Sequence, residues 1–135
     1  MPELRITIPG QPQPQGSKNG YLRGGRIVLV ESAKGLKNWR RQVAFEAARA
    51  ATGWAIPDKD VPIRLSVTFF LTKPKSIKRI FPTVKPDLDK LLRGLCDGIS
   101  DSRCVWVDDN QVTLIVASKV YAGASPMTYV EVNHD

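Results

Sequence analysis

The spacing of apolar residues predicts one α+β domain, with two amphipathic helices covering a mixed or antiparallel sheet in the order β-β-α-β-α-β-β. Two observations carry this: period-two alternation in four segments, and period-3.6 stripes in two others. Leu4, Ile6 and Ile8 alternate with Arg5 and Thr7, a short strand closed by Pro9-Gly10. Residues 9–25 read as loop, with three prolines, five glycines and a tip at Gly24-Gly25. Ile27–Val30 is a second short strand. A helix follows from about Ala33 to Thr52, with Leu36, Trp39, Val43 and Ala47 on one stripe and Lys34, Lys37, Arg40, Arg41 and Arg49 elsewhere. Gly53 and Pro57 end it. Ile63, Leu65, Val67, Phe69 and Leu71 form the clearest strand of the chain, buried on one face. A basic, proline-rich loop leads to a second helix from about Asp87 to Ile99, with Leu88, Leu91, Leu92, Leu95 and Ile99 at helical spacing. Val112, Leu114, Val116 and Val120 mark a long strand, and Thr128, Val130 and Val132 a last one after the Gly123–Pro126 turn. No repeat, low-complexity tail or linker divides residues 1–135.

The 135 residues are 42% hydrophobic and 24% charged, enough for a core without disulfides or a structural metal. No apolar run approaches the roughly 18 residues that a membrane span needs. Met1-Pro-Glu-Leu-Arg has no hydrophobic signal core, so the expected compartment is the cytoplasm and no membrane partner is expected. Cys96 and Cys104 make no disulfide framework, and Cys96, between Leu92 and Ile99, reads as a buried reduced thiol. The single histidine, His134, is next to the last residue, which excludes a zinc finger, a Ser-His-Asp triad and an H-E-x-x-H helix. A metal here would take oxygen ligands, which points to Mg²⁺, with Mn²⁺ as the alternative.

Charge is unevenly distributed. Residues 1–86 carry 16 Lys/Arg against 5 Asp/Glu, an excess of +11, and residues 87–135 carry 4 against 8, giving −4. Asp87, Asp89, Asp97, Asp101, Asp108 and Asp109 fall within 23 residues. A basic chain attracts polyanions. Carboxylates beside phosphates repel them unless a cation lies between.

Each aspartate has an ordinary use. Asp87, between Pro86 and a helix, suits an N-cap; Asp89 suits the positive end of the helix dipole; Asp108-Asp109-Asn110 suits a turn. Together they admit a second use. Asp87 and Asp89 sit at the helix mouth, Asp108 and Asp109 enter a strand expected to pair near that helix end, and Asp89, Arg93 and Asp97 recur every four residues along one face. Carboxylates converging from two elements are what an oxygen-ligated Mg²⁺ needs, and such an ion activates water and stabilises charge on a phosphodiester.

The blocks Asp87-Leu-Asp-Lys-Leu-Leu-Arg…Asp97 and Asp108-Asp-Asn-Gln-Val resemble the signature of the RusA family of Holliday junction resolvases: D-x-D-N-L-x-K, a further helical Asp, then D-D-x-Q-V. Ile8-Pro-Gly…Pro14-Gln-Gly-Ser-Lys and Lys119-Val-Tyr-Ala are similar to phage-encoded members. The resemblance implies an α+β homodimer that binds four-way DNA junctions and makes paired, symmetric cuts with Mg²⁺ or Mn²⁺. It implies Asp87, Asp89 and Asp109 as catalytic, metal-holding carboxylates, with Asp108 as a further ligand and Asp97 as support. Two positions depart from the pattern. Lys90 stands where the family has Asn, and Arg93 where it has a functional Lys; Arg keeps the charge and binds phosphate bidentately. Arg93 reads either as a surface ion pair with Asp89 or Asp97, or as a cation on the phosphate, with Lys90 in support.

Lys73, Lys75, Lys78 and Arg79, together with Arg40, Arg41 and Lys18, read as solvated surface charge or as phosphate contacts along a duplex arm. Trp39 reads as core; Trp106, beside the aspartate pair, reads as packed in preference to stacked on an unpaired base. Two other functions compete with junction cleavage: a non-enzymatic DNA-binding module, and a metal-dependent nuclease acting on other branched or single-stranded nucleic acid.

Overall fold

Alternation in Glu3–Pro9 sends Leu4, Ile6 and Ile8 to one side, and this segment is strand β1. The computed structural model describes the backbone of residues 1–16, 18–23, 26–31 and 35–135, and the side chains of 1–16 and 35–135. The elements that follow are β2 (Lys18–Arg23), β3 (Arg26–Glu31), α1 (Leu36–Ala50), β4 (Ile63–Leu71), α2 (Leu88–Ser102), a single 3₁₀ turn (Asp109–Gln111), β5 (Val112–Tyr121) and β6 (Met127–Asn133). β1, β4, β5 and β6 form a mixed sheet in the order β1-β6-β4-β5. β6 is antiparallel to both its neighbours, while β4 and β5 run parallel. The predicted class and element order hold, with one addition. Part of the segment read as loop, Lys18–Arg23, is a strand paired antiparallel with β3. Asn19, Gly20 and Arg23 break any apolar alternation there, so no strand period shows in these residues, and the local antiparallel pairing defines this hairpin. The predicted Gly24-Gly25 tip and the first residues of the predicted helix, Ala33 and Lys34, lie outside the described residues.

The core lies between one sheet face and the two helices. β4 contributes Ile63, Leu65, Val67, Phe69 and Leu71, and β6 contributes Val130 and Val132. Onto them pack Leu36, Trp39, Val43 and Ala47 of α1 and Leu91, Leu95 and Ile99 of α2. The helices meet closely at Gly98, where a Cβ would stand 2.7 Å from Val43 Cβ. Arg40 braces the same crossing, with its guanidinium donating to both Asp101 carboxylate oxygens at 2.9–3.1 Å.

Because β4 and β5 are parallel, the chain between them must return to the sheet's starting edge, and α2 makes that return. The mouth of α2 therefore lies by the C-terminal ends of β4 and β5. The start of β5 lies by the later turns of α2. This corrects the expectation that Asp108 and Asp109 enter a strand beside the helix mouth. No helix among the described residues is long and apolar enough to cross a membrane.

Candidate active site

Five of the six aspartates divide into two groups along α2, while Asp101 is held by Arg40 at the helix crossing. At its mouth, Asp87 occupies the N-cap position in extended conformation, yet its side chain makes no capping hydrogen bond. The ordinary role for an aspartate there is thus not taken up. Its exposed carboxylate faces only Lys90, at 3.8 Å. Asp89, in the first turn, is exposed and forms no hydrogen bond or ion pair among the described residues. Beside this mouth lies an open cleft of about 550 Å³, walled by Pro12, Pro14 and Pro86 and edged by Lys85, Asp87 and Lys90.

The second group gathers around Asp97 and Asp109, and Cys96 lies against it. Asp97 accepts a hydrogen bond from Gln15 Nε2 at 2.5 Å, while Gln15 Oε1 is buried with no donor among the described residues. Burial holds the Asp109 carboxyl above the ordinary carboxylate range; a hydrogen bond with Asp108, the charge of Asp108 and then that of Asp97 push it further. Burial, with Asp109 and Asp97 behind it, pushes the Cys96 thiol up to about 12, which keeps it a protonated, unreactive thiol as expected for a buried Cys. Asp108 has a structural use: its carboxylate accepts from Asn110 N at 2.9 Å in a reciprocal capping box with Gln111.

Eight residues separate Asp89 from Asp97, about 12 Å of helix rise. Among the described residues, no three His, Cys, Asp or Glu side chains stand together as a metal cage. The convergence of Asp87, Asp89, Asp108 and Asp109 is therefore absent within one chain, because α2 runs antiparallel to the strand that follows it. What the chain presents is a carboxylate pair at each end of a track along α2, exposed at Asp87/Asp89 and half-buried at Asp97/Asp109, with exposed Arg93 on the helix between them. Arg93 forms no ion pair with Asp89 or Asp97, so the surface-pair reading of this residue is not realised among the described contacts. Two-carboxylate sites suit Mg²⁺, which keeps several waters and takes further oxygens from bound phosphate.

Gln111 is the residue whose importance the sequence hid. It is 4% exposed, and its Oε1 accepts from Val107 N at 2.8 Å and Asp108 N at 3.1 Å. Its Nε2 donates to Asp58 O at 2.8 Å and Val61 O at 3.2 Å. One amide thus ties the approach to β5 to the loop before β4 and fixes the Asp108-Asp109 turn. The fixed place of Gln after the Asp pair was the available signal. Gln15, in the proline-rich loop, gave none.

The basic candidates fall into three sets. Arg41, Lys73, Lys75, Lys78 and Arg79 are exposed. Arg40 is committed to Asp101 in the helix crossing. Lys18 lies in β2, and its side chain is outside the described residues. Trp39 is buried as expected, and Trp106 is packed, with Nε1 donating to Ser100 Oγ at 2.9 Å.

The raised Asp109 carboxyl has a consequence for stability. Its native proton is held more tightly than the unfolded chain's, so its contribution is favourable below the ordinary value of 3.8 and is lost as pH rises through the raised native value. At neutral pH the ionised group opposes folding. Asp109→Asn should therefore raise the melting temperature of metal-free protein at pH 7 by roughly 1–4 °C. That gain should vanish near pH 4 in parallel melts.

The family model for the endodeoxyribonuclease RusA matches residues 9–133. Over 108 residues the chain is 30% identical to a protein of Lactococcus phage r1t named crossover junction endodeoxyribonuclease rusA, covering 70% of this chain and 82% of that one. It is also 27% identical over 131 residues to the uncharacterized protein YqaN of Bacillus subtilis, covering 88% of each. A match that spans both carboxylate pairs, the helix between them and strands β4, β5 and β6 of the main sheet settles the identity: this chain belongs to the RusA family of endodeoxyribonucleases and is a nuclease.

Proposed function

We propose that the protein resolves four-way DNA junctions by Mg²⁺-dependent, paired hydrolysis of phosphodiesters in recombination and repair. The observation that carries this is the face along α2, where exposed Arg93 lies between the exposed Asp87/Asp89 pair and the half-buried Asp97/Asp109 pair, in a protein with an excess of +11 in its first 86 residues. A bound divalent ion would supply Lewis acidity and an activated water. Asp87 and Asp89 would hold it at the helix mouth, where the dipole offsets part of their repulsion. Asp109, with Asp97 beside it and Asp108 turning the chain, would hold it at the other pair. The residues fit such an ion. Burial first, and then the charges of Asp108 and Asp97, raise the Asp109 carboxyl, and a cation would relieve the repulsive part; Gln15 Oε1, without a donor among the described residues, adds an oxygen beside Asp97. Arg93 would hold the phosphate between the pairs. Lys90, which faces Asp87, would screen its charge. Lys73, Lys75, Lys78, Arg79 and Arg41 would contact duplex backbone without reading bases.

A junction has two-fold symmetry, and two opposed cuts call for a homodimer. The open edge of β5 supports one. Leu114, Ile115 and Val116 are 52%, 41% and 64% exposed, and the stretch Val112–Ser118 has no charge or proline to blunt the edge. Such a strand pairs antiparallel with its own copy across a two-fold axis.

A panel of labelled substrates with and without Mg²⁺ tests the reading. A four-way junction should be cut symmetrically, only with the metal, and faster than flaps, single strands or linear duplex. Light scattering on the same preparation should report a dimer. Binding without cutting, or equal cutting of all substrates, would sink it.

A further inference from the structure

Residues 72–87 carry the chain from β4 to α2 without helix or strand, and most of them are exposed. Ile80 O accepts from Tyr121 N at 2.9 Å, which moors the middle of this segment to the end of β5. Beyond it, among the described residues, hydrogen bonds to the sheet come from one side chain. Lys119, half-buried near the end of β5, donates from Nζ to Val84 O at 2.7 Å and to Pro86 O at 2.8 Å. Ammonium-to-carbonyl bonds this short are charge-assisted and stronger than neutral ones. Lys119 makes no ion pair among the described residues, so its charge is spent on these two carbonyls. The residue they lead into is Asp87. Its carboxylate is not held by a helix cap either, so the backbone before it decides where it stands.

We propose that Lys119 is the positioning residue for Asp87: its ammonium clamps the carbonyls of Val84 and Pro86 and thereby fixes the carboxylate at the mouth of α2. This rests on the reading of Asp87 as a metal-holding carboxylate. A displacement near 1 Å at a reacting centre can cost about 100-fold in rate, so a clamp one residue away has leverage that its own exposure would not suggest.

The test compares wild type, Lys119→Met, Lys119→Arg and Asp87→Asn. Amide hydrogen exchange in metal-free protein reads the clamp itself, junction affinity without metal reads DNA contact, and single-turnover cleavage against Mg²⁺ concentration reads function. Lys119→Met should speed exchange across residues 84–91. It should lower cleavage at least about tenfold and raise the Mg²⁺ requirement, with junction affinity unchanged. Lys119→Arg, which keeps donors on a planar fork, should retain part of each. Unchanged exchange overturns the proposal. So does a fall in junction affinity that matches the fall in rate, which would make Lys119 a phosphate contact. A lowered melting point with wild-type rate and Mg²⁺ requirement at a temperature well below it would leave only fold support, and overturns it too. Should Lys119→Met not fold, Lys119→Arg carries the same three measurements. Near wild-type cutting by Asp87→Asn would sink the underlying reading on its own, whatever Lys119 does.

Discussion

Asn in place of Asp87, Asp89 or Asp109 is expected to abolish junction cleavage while leaving junction binding intact or slightly tighter. Each change removes one negative charge from the track without changing the side chain's shape, so repulsion of phosphate falls as the metal loses a ligand. The loss should reach about 10²–10³-fold for each, the scale seen when one preorganised electrostatic partner of a transition state is removed. Arg93→Ala should cost at least about tenfold with folding unchanged, because this exposed side chain has no ion pair among the described residues to lose, and Arg93→Lys should keep substantial activity. Single-turnover rates with Mg²⁺, beside gel-shift affinities without it, check both. If all three aspartate variants cut at near wild-type rates, the track is not the active site.

The largest stability effect is expected at Gly98. A Cβ there meets Val43 Cβ and Cγ1 at 2.7 Å and the Arg40 carbonyl at 3.3 Å. Alanine normally favours a helix interior over glycine by about 1 kcal/mol. Here the forced separation of α1 and α2 opposes it, at about 1–3 kcal/mol or more for an overpacked contact. The clash wins because both neighbours are rigid: one is a β-branched side chain on a packed stripe, the other backbone. Gly98→Ala should be net destabilised, and Gly98→Val should fold poorly. Val43→Ala, which on its own opens a cavity, should partly rescue Gly98→Ala. Thermal melts of the four proteins form a cycle, and strict additivity would show that the two residues do not share the crossing.

Apolar period made most of this fold legible. β4 alternates without a break over nine residues, and the stripes of both helices match the faces they bury. The β2 strand was not legible, because its pairing with β3 is local and its residues carry no apolar alternation. The candidate carboxylates could be named from the sequence, but their layout could not. Nothing in the spacing of Asp87, Asp89, Asp108 and Asp109 says that β5 runs parallel to β4, and that single fact sets the two carboxylate pairs at different turns of α2. Gln111 and Lys119 were hidden for a related reason. Both donate to backbone carbonyls of distant segments, Gln111 to Asp58 and Val61 and Lys119 to Val84 and Pro86, and contacts of that kind leave no sequence period.

The uncapped mouth of α2 sets stability against the proposed chemistry. A serine or asparagine at position 87 could close the first turn with a side-chain hydrogen bond, a gain of about 1 kcal/mol that an aspartate there could also have taken. The carboxylate instead stands away from the amides beside it. If Asp87 holds the metal as proposed, selection for stability alone would draw this position toward a capping residue and remove a ligand in the same step. Screens for thermal tolerance should therefore hold position 87 fixed.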